Sequence, residues 1–253
     1  MIGAFSFNNV ESSYFNLVCK SIKRPLLPAV KTKRLEIPGI SGVYDFESSE
    51  YSMRSVTMKI AYIGTDYSEL RTRARSIAAW LSNSSWCKLI INDEPDKYYL
   101  AKVTSEIDLE SLWMSGSADI SFDCQPFAYY ISEMIHTFTV TGARTYSFTN
   151  PGNKVVNYKS PEGSKSMIGM IGTFTSLTLS MNGKTLNYID PLTTMLVIDN
   201  IEMAATVGSI NHFNSLTGDI ETFIPINPGS NTLSISGSNL NFEMPIVYIP
   251  LWI

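Results

Sequence analysis

Turn-forming pairs divide the second half of the chain into short segments, and their spacing limits the folds that this part can adopt. Asn-Gly, Asp-Pro, Pro-Gly and Ser-Gly pairs stand at residues 182–183, 190–191, 228–229 and 236–237. Asn-Gly between alternating segments is the strongest of these hairpin signals, because both central residues need a positive φ. Many short strands separated by frequent turns are typical of a β-sandwich.

Six strands are expected between these turns. Their apolar residues alternate with polar ones, as in a strand with one buried face. Pro245 and Pro250 lack a backbone N–H group, so we expect the last of these strands to lie at a sheet edge. The predicted strands are 173–181, 185–188, 194–198, 221–226, 232–235 and 241–249.

The first part of the chain predicts a mixed fold around one main helix. Apolar residues recur at helical spacing over 66–82, and Asp66 or Thr65 is a candidate N-cap with Glu69 placed for a capping box. Asn83 is expected to end this helix. Strands are predicted at 55–63, 87–92, 97–103, 104–113 and 118–124, with hairpin turns at 93–96 and 115–116.

Charge density changes along the chain. Residues 1–133 hold 14 basic and 16 acidic side chains, whereas residues 134–253 hold only 5 and 7. A shift of this kind marks a domain boundary. We therefore predict a mainly β protein, with an α+β N-terminal domain at 1–133 that contains one main helix and a β-hairpin, and a β-sandwich at 134–253.

The composition excludes several classes of function. A net charge of −4 argues against a protein held to nucleic acid by phosphate contacts. The three cysteines form no Cys-x-x-Cys pair and there are only two histidines, so neither a metal site nor a cofactor is predicted. Residues 1–25 do not look like a signal peptide, and no stretch has the length and apolarity of a membrane span. We expect a soluble, intracellular protein that is not an enzyme.

Two local motifs resemble ligand sites without meeting their requirements. Residues 183–185 read Gly-Lys-Thr, but a phosphate-binding loop needs a glycine at position 178, where this chain has Thr178. The acidic turn at 93–96 contains Pro95, which breaks the alternating ligand spacing of a calcium loop. Both motifs are better explained as hairpin turns, and no catalytic residue is predicted.

Two further segments leave alternatives open. His212 and Asn214 match the start of a galectin sugar-binding motif that Ser215 does not continue, so they are either sugar contacts or ordinary loop residues. The segment 20–34 contains six basic residues and no acidic one. It is a phosphate-binding segment, a contact with another subunit, or a solvated loop. We favour the subunit contact over nucleic acid because the whole chain is acidic.

The first part of the chain, read in order, resembles the N-terminal domain of siphophage distal tail proteins. A strand, a helix that ends in Trp-Leu, an acidic hairpin and a closing Phe-x-Cys-x-Pro segment follow in the order of that family. The second part resembles the C-terminal domain of the same family. The segments that carry the resemblance are 37–42 (IPGISG), 54–60 (RSVTMKI), 77–81 (IAAWL), 89–103 (LIINDEPDKYYLAKV), 120–127 (ISFDCQPF), 182–186 (NGKTL), 198–199 (ID), 216–219 (LTGD) and 227–233 (NPGSNTL).

This resemblance implies a structural role without catalysis. Six copies are expected to form a ring through their N-terminal domains, as a hub at the virion tail tip that is assembled in the cytoplasm of the bacterial host. One face of the ring joins the tail tube protein and the other a tail-associated tip or fibre protein, while DNA passes through the channel without specific binding. The C-terminal domain is expected to resemble galectins or carbohydrate-binding modules, and no membrane is involved.

The ring needs contact residues, and the sequence offers two groups. Lys31, Lys33 and Arg34 lie in the basic segment, which we predict to face a protein neighbour rather than the channel. Three tryptophans are either core residues or contact anchors: Trp80, Trp86 and Trp113. The alternatives to this hub are a carbohydrate-binding adhesion module that contacts the host cell wall and a cell-wall hydrolase.

Overall fold

The computed structural model describes residues 3–46, 50–64, 66–107, 112–113 and 116–253. Its contacts divide the chain into two compact units, residues 1–128 with Ile253 and residues 129–252. The charge pattern had placed this boundary five residues later, between 133 and 134. Strands predominate in both units, which confirms the mainly β class. No helix among the described residues has both the length and the apolarity needed to cross a membrane.

The first unit is built on an antiparallel sheet with strand order β2-β1-β7-β8-β9-β6-β3. Strands β4 and β5 pair only with each other, outside this sheet. The strands of this unit are β1 (Phe5–Phe7), β2 (Val10–Glu11), β3 (Leu17–Lys23), β4 (Arg34–Leu35), β5 (Tyr44–Asp45), β6 (Arg54–Tyr62), β7 (Cys87–Ile91), β8 (Lys97–Val103) and β9 (Ala118–Cys124).

The predicted helix is confirmed as α1 (Tyr67–Leu81). Asp66 is its N-cap and accepts a hydrogen bond from the backbone N–H of Ser68 at 2.8 Å, which satisfies one of the free donors of the first turn. Thr65, the other N-cap candidate, lies outside the described residues. The helix buries Leu70, Ile77, Trp80 and Leu81, and a short 3-10 helix at Ser12–Phe15 also belongs to this unit.

The acidic hairpin is confirmed, and the hairpin predicted after it is wrong. Strands β7 and β8 pair across the turn at 93–96. Residues 104–107 are not in a strand, and β9 pairs with β8 instead, from Ala101 opposite Cys124 to Val103 opposite Phe122. Of the second predicted turn, Ser115 lies outside the described residues. The predicted strand is therefore absent from the described residues 104–107 and 112–113.

The second unit is a sandwich of two antiparallel sheets. Their strand orders are β11-β21-β13-β16-β17-β18 and β12-β20-β14-β15-β19. The strands from residue 128 onward are β10 (Ala128–Tyr130), β11 (Met134–Val140), β12 (Arg144–Asn150), β13 (Ser166–Thr173), β14 (Ser176–Met181), β15 (Lys184–Tyr188), β16 (Met195–Asp199), β17 (Ala204–Val207), β18 (Ile210–Asn211), β19 (Leu216–Gly218), β20 (Gly229–Ser238), β21 (Asn241–Tyr248) and β22 (Leu251–Trp252).

The core of this sandwich is formed by apolar side chains from both sheets. Phe148 of β12 lies 6.0 Å from Tyr248 of β21, measured between ring centroids, and the Tyr248 hydroxyl donates to the Thr149 carbonyl at 3.0 Å. Phe174 meets Tyr188 edge to face at 5.8 Å. Burial raises the pKa of Tyr248 to about 12, so this hydroxyl keeps its proton and its hydrogen bond at neutral pH.

Three predictions for this unit are wrong. The turn expected at 236–237 lies inside β20. The segment 221–226 is not a strand but a buried loop, in which Phe223 has a φ of +50°. Strand β21 is not at an edge, since it pairs with both β11 and β13. The sheet accommodates Pro245 because Gly169 lies opposite: a Cβ at Gly169 would stand 3.1 Å from the proline ring. Pro245, which has no backbone N–H, thus lies at one of the two positions that the pairing of β13 with β21 skips.

Candidate functional site

Residues 26–46 and 50–53 form the two sides of a long hairpin, here called the arm, and a few backbone bonds hold these sides together. The N–H of Ser52 donates to the Ala29 carbonyl at 2.7 Å and that of Lys31 to the Glu50 carbonyl at 2.9 Å. Further along, the N–H of Phe46 donates to the Lys33 carbonyl at 3.1 Å, next to the β4–β5 pair. The arm therefore contains a two-stranded ribbon without a third strand.

A tight turn forms the tip of the arm. The N–H of Ile40 donates to the Ile37 carbonyl at 3.1 Å, and Gly39 has a φ of +87°. Proline at the second position and glycine at the third are what a type II turn requires, because proline fixes a negative φ and glycine allows a positive one. The Ile-Pro-Gly-Ile segment that carried part of the family resemblance is thus this tip.

The two faces of the arm differ in character, because successive side chains of a strand point to opposite sides. Arg34 pairs with Asp45 on one face, Nε to Oδ2 at 3.1 Å. The other face carries Leu35, Tyr44 and Phe46. On this face the Lys33 ammonium lies 5.5 Å from the Phe46 ring centroid. We call Leu35, Tyr44 and Phe46 the apolar face of the arm.

Exposed apolar side chains are concentrated on the arm. Of nineteen large apolar side chains exposed in the described residues, ten lie between residues 26 and 53. Leu26 is 87% exposed and Ile40 at the tip is 64% exposed. The sequence marks this region by its basic residues, and the exposed apolar side chains were not predicted as contacts. The whole set is Leu26, Leu27, Val30, Leu35, Ile37, Ile40, Val43, Tyr44, Phe46 and Met53.

Three of the six cations of the basic segment pair with acidic residues that follow it in the chain. Lys31 pairs with Glu50 at 3.2 Å, as Arg34 does with Asp45. Arg24 reaches the acidic turn at 93–96 and binds Glu94 at 2.7 Å and Asp93 at 3.3 Å. These pairs use the carboxylates that could have served a metal ion, and no group of potential metal ligands occurs among the described residues.

Arg54, at the base of the arm, is a buried cation that the sequence analysis did not single out. Its Nη2 donates to the Pro126 carbonyl, and its guanidinium lies 5.4 Å from the Tyr99 ring centroid. Burial lowers the pKa of Arg54, whereas burial raises that of Tyr99. The carbonyl and the ring face offset part of the lost hydration of the cation, whose Nε is buried without a hydrogen-bond partner among the described residues. Arg54 therefore joins the start of β6 to the segment after β9.

The three tryptophans have different surroundings. Trp80 is buried, donates its Nε1–H to the Phe7 carbonyl at 2.8 Å and stacks on Phe15, so it is a core residue rather than a contact anchor. Trp86 and Trp113 are half-buried. The ammonium of Lys102 lies 4.7 Å from the Trp86 ring, and Trp113 packs against Tyr67.

The galectin-like residues lie at a short 3-10 helix, Phe213–Ser215. His212 Nδ1 is 3.1 Å from the Tyr188 hydroxyl, and Asn214 is exposed. The outward residues of β12 and β20 are serines and threonines, paired as Thr145 with Ser234 and Ser147 with Thr232. Such a surface lacks the aromatic platforms on which sugar rings stack.

An open cavity of about 330 Å³ lies between α1 and the segment after β8. Its walls are apolar except for two serine residues. None of the residues that line the cavity is titratable, so its two serine hydroxyls have no general base beside them in the lining. The lining residues are Ala74, Ile77, Ala78, Leu81, Ser82, Val103, Ser105, Ile107 and Leu112.

Comparison with known proteins defines the class to which this fold and its exposed arm belong. Residues 12–124 match the family model of the phage tail protein RIFT-related domain. The matched segment lies within the first unit, so this unit resembles a domain of phage tail proteins. No curated protein matches the sequence.

A solved structure gives the particular protein that the chain resembles. The fold matches that of Dit (gp 19.1) of phage SPP1, with a TM-score of 0.75, 14% sequence identity and complete coverage of both chains. That structure is described as a paradigm of the hub adsorption apparatus in phages that infect Gram-positive bacteria. The resemblance to siphophage distal tail proteins that the sequence indicated is thus confirmed.

Proposed function

We propose that this protein is the hub of a siphophage tail tip. Six copies close into a ring through their first units and join the tail tube protein on one side to a tail-associated tip or fibre protein on the other. The DNA passes through the ring without being bound. The observation that carries the proposal is the agreement in fold with SPP1 Dit over the whole length of both chains.

Ring closure needs two unlike surfaces that meet in a repeated, heterologous contact. The arm supplies one such surface, because it leaves the sheet of the first unit and exposes apolar side chains. Lys31, Lys33 and Arg34 stand on it and face a neighbouring protein in this proposal. Trp86 and Trp113 remain candidate contacts because they are half-buried.

The charge pairing of the arm also suits a channel that DNA must pass. Free basic side chains on the wall would bind phosphate groups and slow the passage. Here Arg24, Lys31 and Arg34 already pair with carboxylates of the same chain. This pairing argues against the phosphate-binding alternative for segment 20–34 and supports the subunit contact that the sequence favours.

The experiment that tests the proposal has two parts. Light scattering coupled to size exclusion should give six times the subunit mass for the purified protein. Immunogold labelling of virions assembled in the host cytoplasm should place the protein at the distal end of the tail. A monomer at every concentration, or label along the whole tail, contradicts the hub.

A further inference from the structure

We infer that Asn182 is a modification site of the second unit, at which the side-chain amide is lost by deamidation. The fold restrains this reaction while the amide keeps two hydrogen bonds to the loop at 225–231. Once the reaction has occurred, the product cannot form these bonds and the loop is released. The inference concerns the sandwich alone and does not depend on the proposed ring.

The chemistry follows from the single Asn-Gly pair of the sequence, residues 182 and 183. The backbone nitrogen of Gly183 attacks Cγ of Asn182, and glycine has no Cβ to hinder this approach. The bond from Cγ to Nδ2 breaks, and ammonia leaves, taking through solvent the proton of the attacking nitrogen. Water then opens the five-membered succinimide at either carbonyl, which gives aspartate or isoaspartate. Because Gly183 is exposed, water is present at the site.

The turn between β14 and β15 uses Asn182 for its backbone and for its side chain. Asn182 and Gly183 have φ values of +54° and +76°, as this two-residue turn requires. Asparagine is one of the few residues with a side chain that adopts such a φ. Its Nδ2 donates to the Pro225 carbonyl at 2.8 Å and to Asn231 Oδ1 at 2.6 Å. Both amide hydrogens are thus used, and they tie the turn to the loop before β20.

The acceptor Asn231 belongs to a buried network that holds the amide of Asn182 in place. Asn231 is fully buried, and its Oδ1 also accepts the N–H of Asn227 at 2.8 Å. Its Nδ2 donates to the carbonyls of Asn227 and Gly229 at 2.8 and 3.0 Å. A buried amide with all its partners inside the protein fixes its neighbours in one arrangement. Because Nδ2 of Asn182 must leave as ammonia, deamidation cannot finish while that nitrogen is held between two acceptors.

The product of the reaction does not fit where the amide was. A carboxylate at position 182 has no N–H to donate, and one of its oxygens would face the Pro225 carbonyl and Asn231 Oδ1, which are both acceptors. An unpaired acceptor beside a buried one is unfavourable, and a charge taken out of water adds to the cost. Deamidation therefore releases the loop at 225–231 from the turn.

Peptide mapping by mass spectrometry tests the restraint in the wild-type chain. The full-length protein is incubated in one mildly alkaline buffer, with and without enough urea to unfold it, and the exchange of NH for O at residue 182 is followed. We expect the folded protein to convert at least about tenfold more slowly, because two hydrogen bonds must open before Nδ2 can leave. Equal rates, or faster conversion at another asparagine of the unfolded chain, overturn the inference.

Two substitutions at the same position test the effect of the product. Asn182→Asp introduces the aspartate that deamidation forms, and Asn182→Gly removes the donors without adding a charge. Both new residues tolerate a positive φ, so the turn is kept. Urea unfolding should give Asn182→Asp the lower midpoint, and its amide exchange over 225–231 should rise by on the order of tenfold above the wild type. Equal midpoints for the two variants, or wild-type exchange in Asn182→Asp, would contradict the inference, because the fold would then accommodate the product.

Discussion

Trp80 combines a polar and an apolar role in the core of the first unit. Its indole N–H donates to the Phe7 carbonyl at 2.8 Å, and its ring stacks on Phe15 with centroids 4.8 Å apart. If this N–H is removed, the buried Phe7 carbonyl loses a hydrogen bond that water does not replace. This residue therefore anchors α1 to β1 through a directional bond as well as by packing.

Trp80→Phe should lower the free energy of unfolding by about 1–3 kcal/mol, because it keeps an aromatic ring but removes the donor to the Phe7 carbonyl. Urea titration followed by circular dichroism measures the change. Trp86→Phe is the matched control, since Trp86 is half-buried and its ring contact with Lys102 contributes about 1 kcal/mol or less. Equal losses in both variants would show that the indole bond is not the cause.

Asp219 gives the second unit a pH-dependent contact. Its carboxylate accepts the N–H of Thr185 at 2.8 Å and the ammonium of Lys184 at 3.2 Å. The Thr185 hydrogen bond, followed by the Lys184 contact, lowers the pKa of Asp219 below its usual 3.8. A lowered acid pKa means that the carboxylate stabilises the fold above the ordinary pKa, and that this contribution is lost as the pH falls through the lowered value.

Asp219→Asn should therefore lower the melting temperature at pH 7 and affect it progressively less as the pH falls below 3.8. Melting curves recorded between neutral pH and about pH 3 would show the two proteins converging. Glu221→Gln removes the same formal charge at a nearby exposed position and serves as the control for the loss of a negative charge. A constant difference at every pH would argue against the titration of Asp219.

At the scale of elements, the local signals predicted the structure where they were strong. The helix needed only its apolar spacing and the N-cap Asp66, and both are properties of neighbouring residues. The Asn182-Gly183 turn is of the same kind, because both residues have positive φ, +54° and +76°. Signals of this type act within a few residues and do not depend on the rest of the fold.

The failures come from interactions that are distant in sequence. Pro245 lies inside a sheet because Gly169, far away in the chain, leaves room opposite it. The segment 221–226 is apolar because it is a buried loop, which a period of two cannot distinguish from a strand. The sequence of the basic segment does not show its partners, because Asp45 and Glu50 stand on the returning side of the hairpin. The hairpin register, not the local composition, decides the character of the arm.

Gly183→Ala tests the hairpin between β14 and β15. An alanine at a φ of +76° brings its Cβ close to the backbone carbonyl, so we expect a loss of about 1 kcal/mol in the free energy of unfolding. Gly142→Ala is the control: a Cβ at either glycine meets nothing within 4 Å, but Gly142 has no positive φ. Urea titration should show no loss for Gly142→Ala, and equal losses would exclude backbone strain as the cause.

At the scale of the whole molecule, the two units differ in the surfaces that they present. The first combines dense charge with an apolar arm, as a subunit of a ring requires. The second exposes rows of hydroxyl groups from β12 and β20, which favour contact with water. The charge density of the sequence thus drops because the chain forms two units with separate cores and different surfaces. In the proposed hub, assembly depends on the first unit, and the second is left for other contacts.

Separate cores predict that damage stays within the unit where it is made. In the full-length protein, Trp80→Phe should accelerate amide hydrogen exchange in β1 and β7, which hold the core around Phe7, and leave β14 and β15 protected. Gly183→Ala should do the reverse, so each variant is the control for the other. If exchange rises equally across residues 1–128 and 129–252 in either variant, the chain unfolds as a single cooperative unit. That result would contradict separate cores.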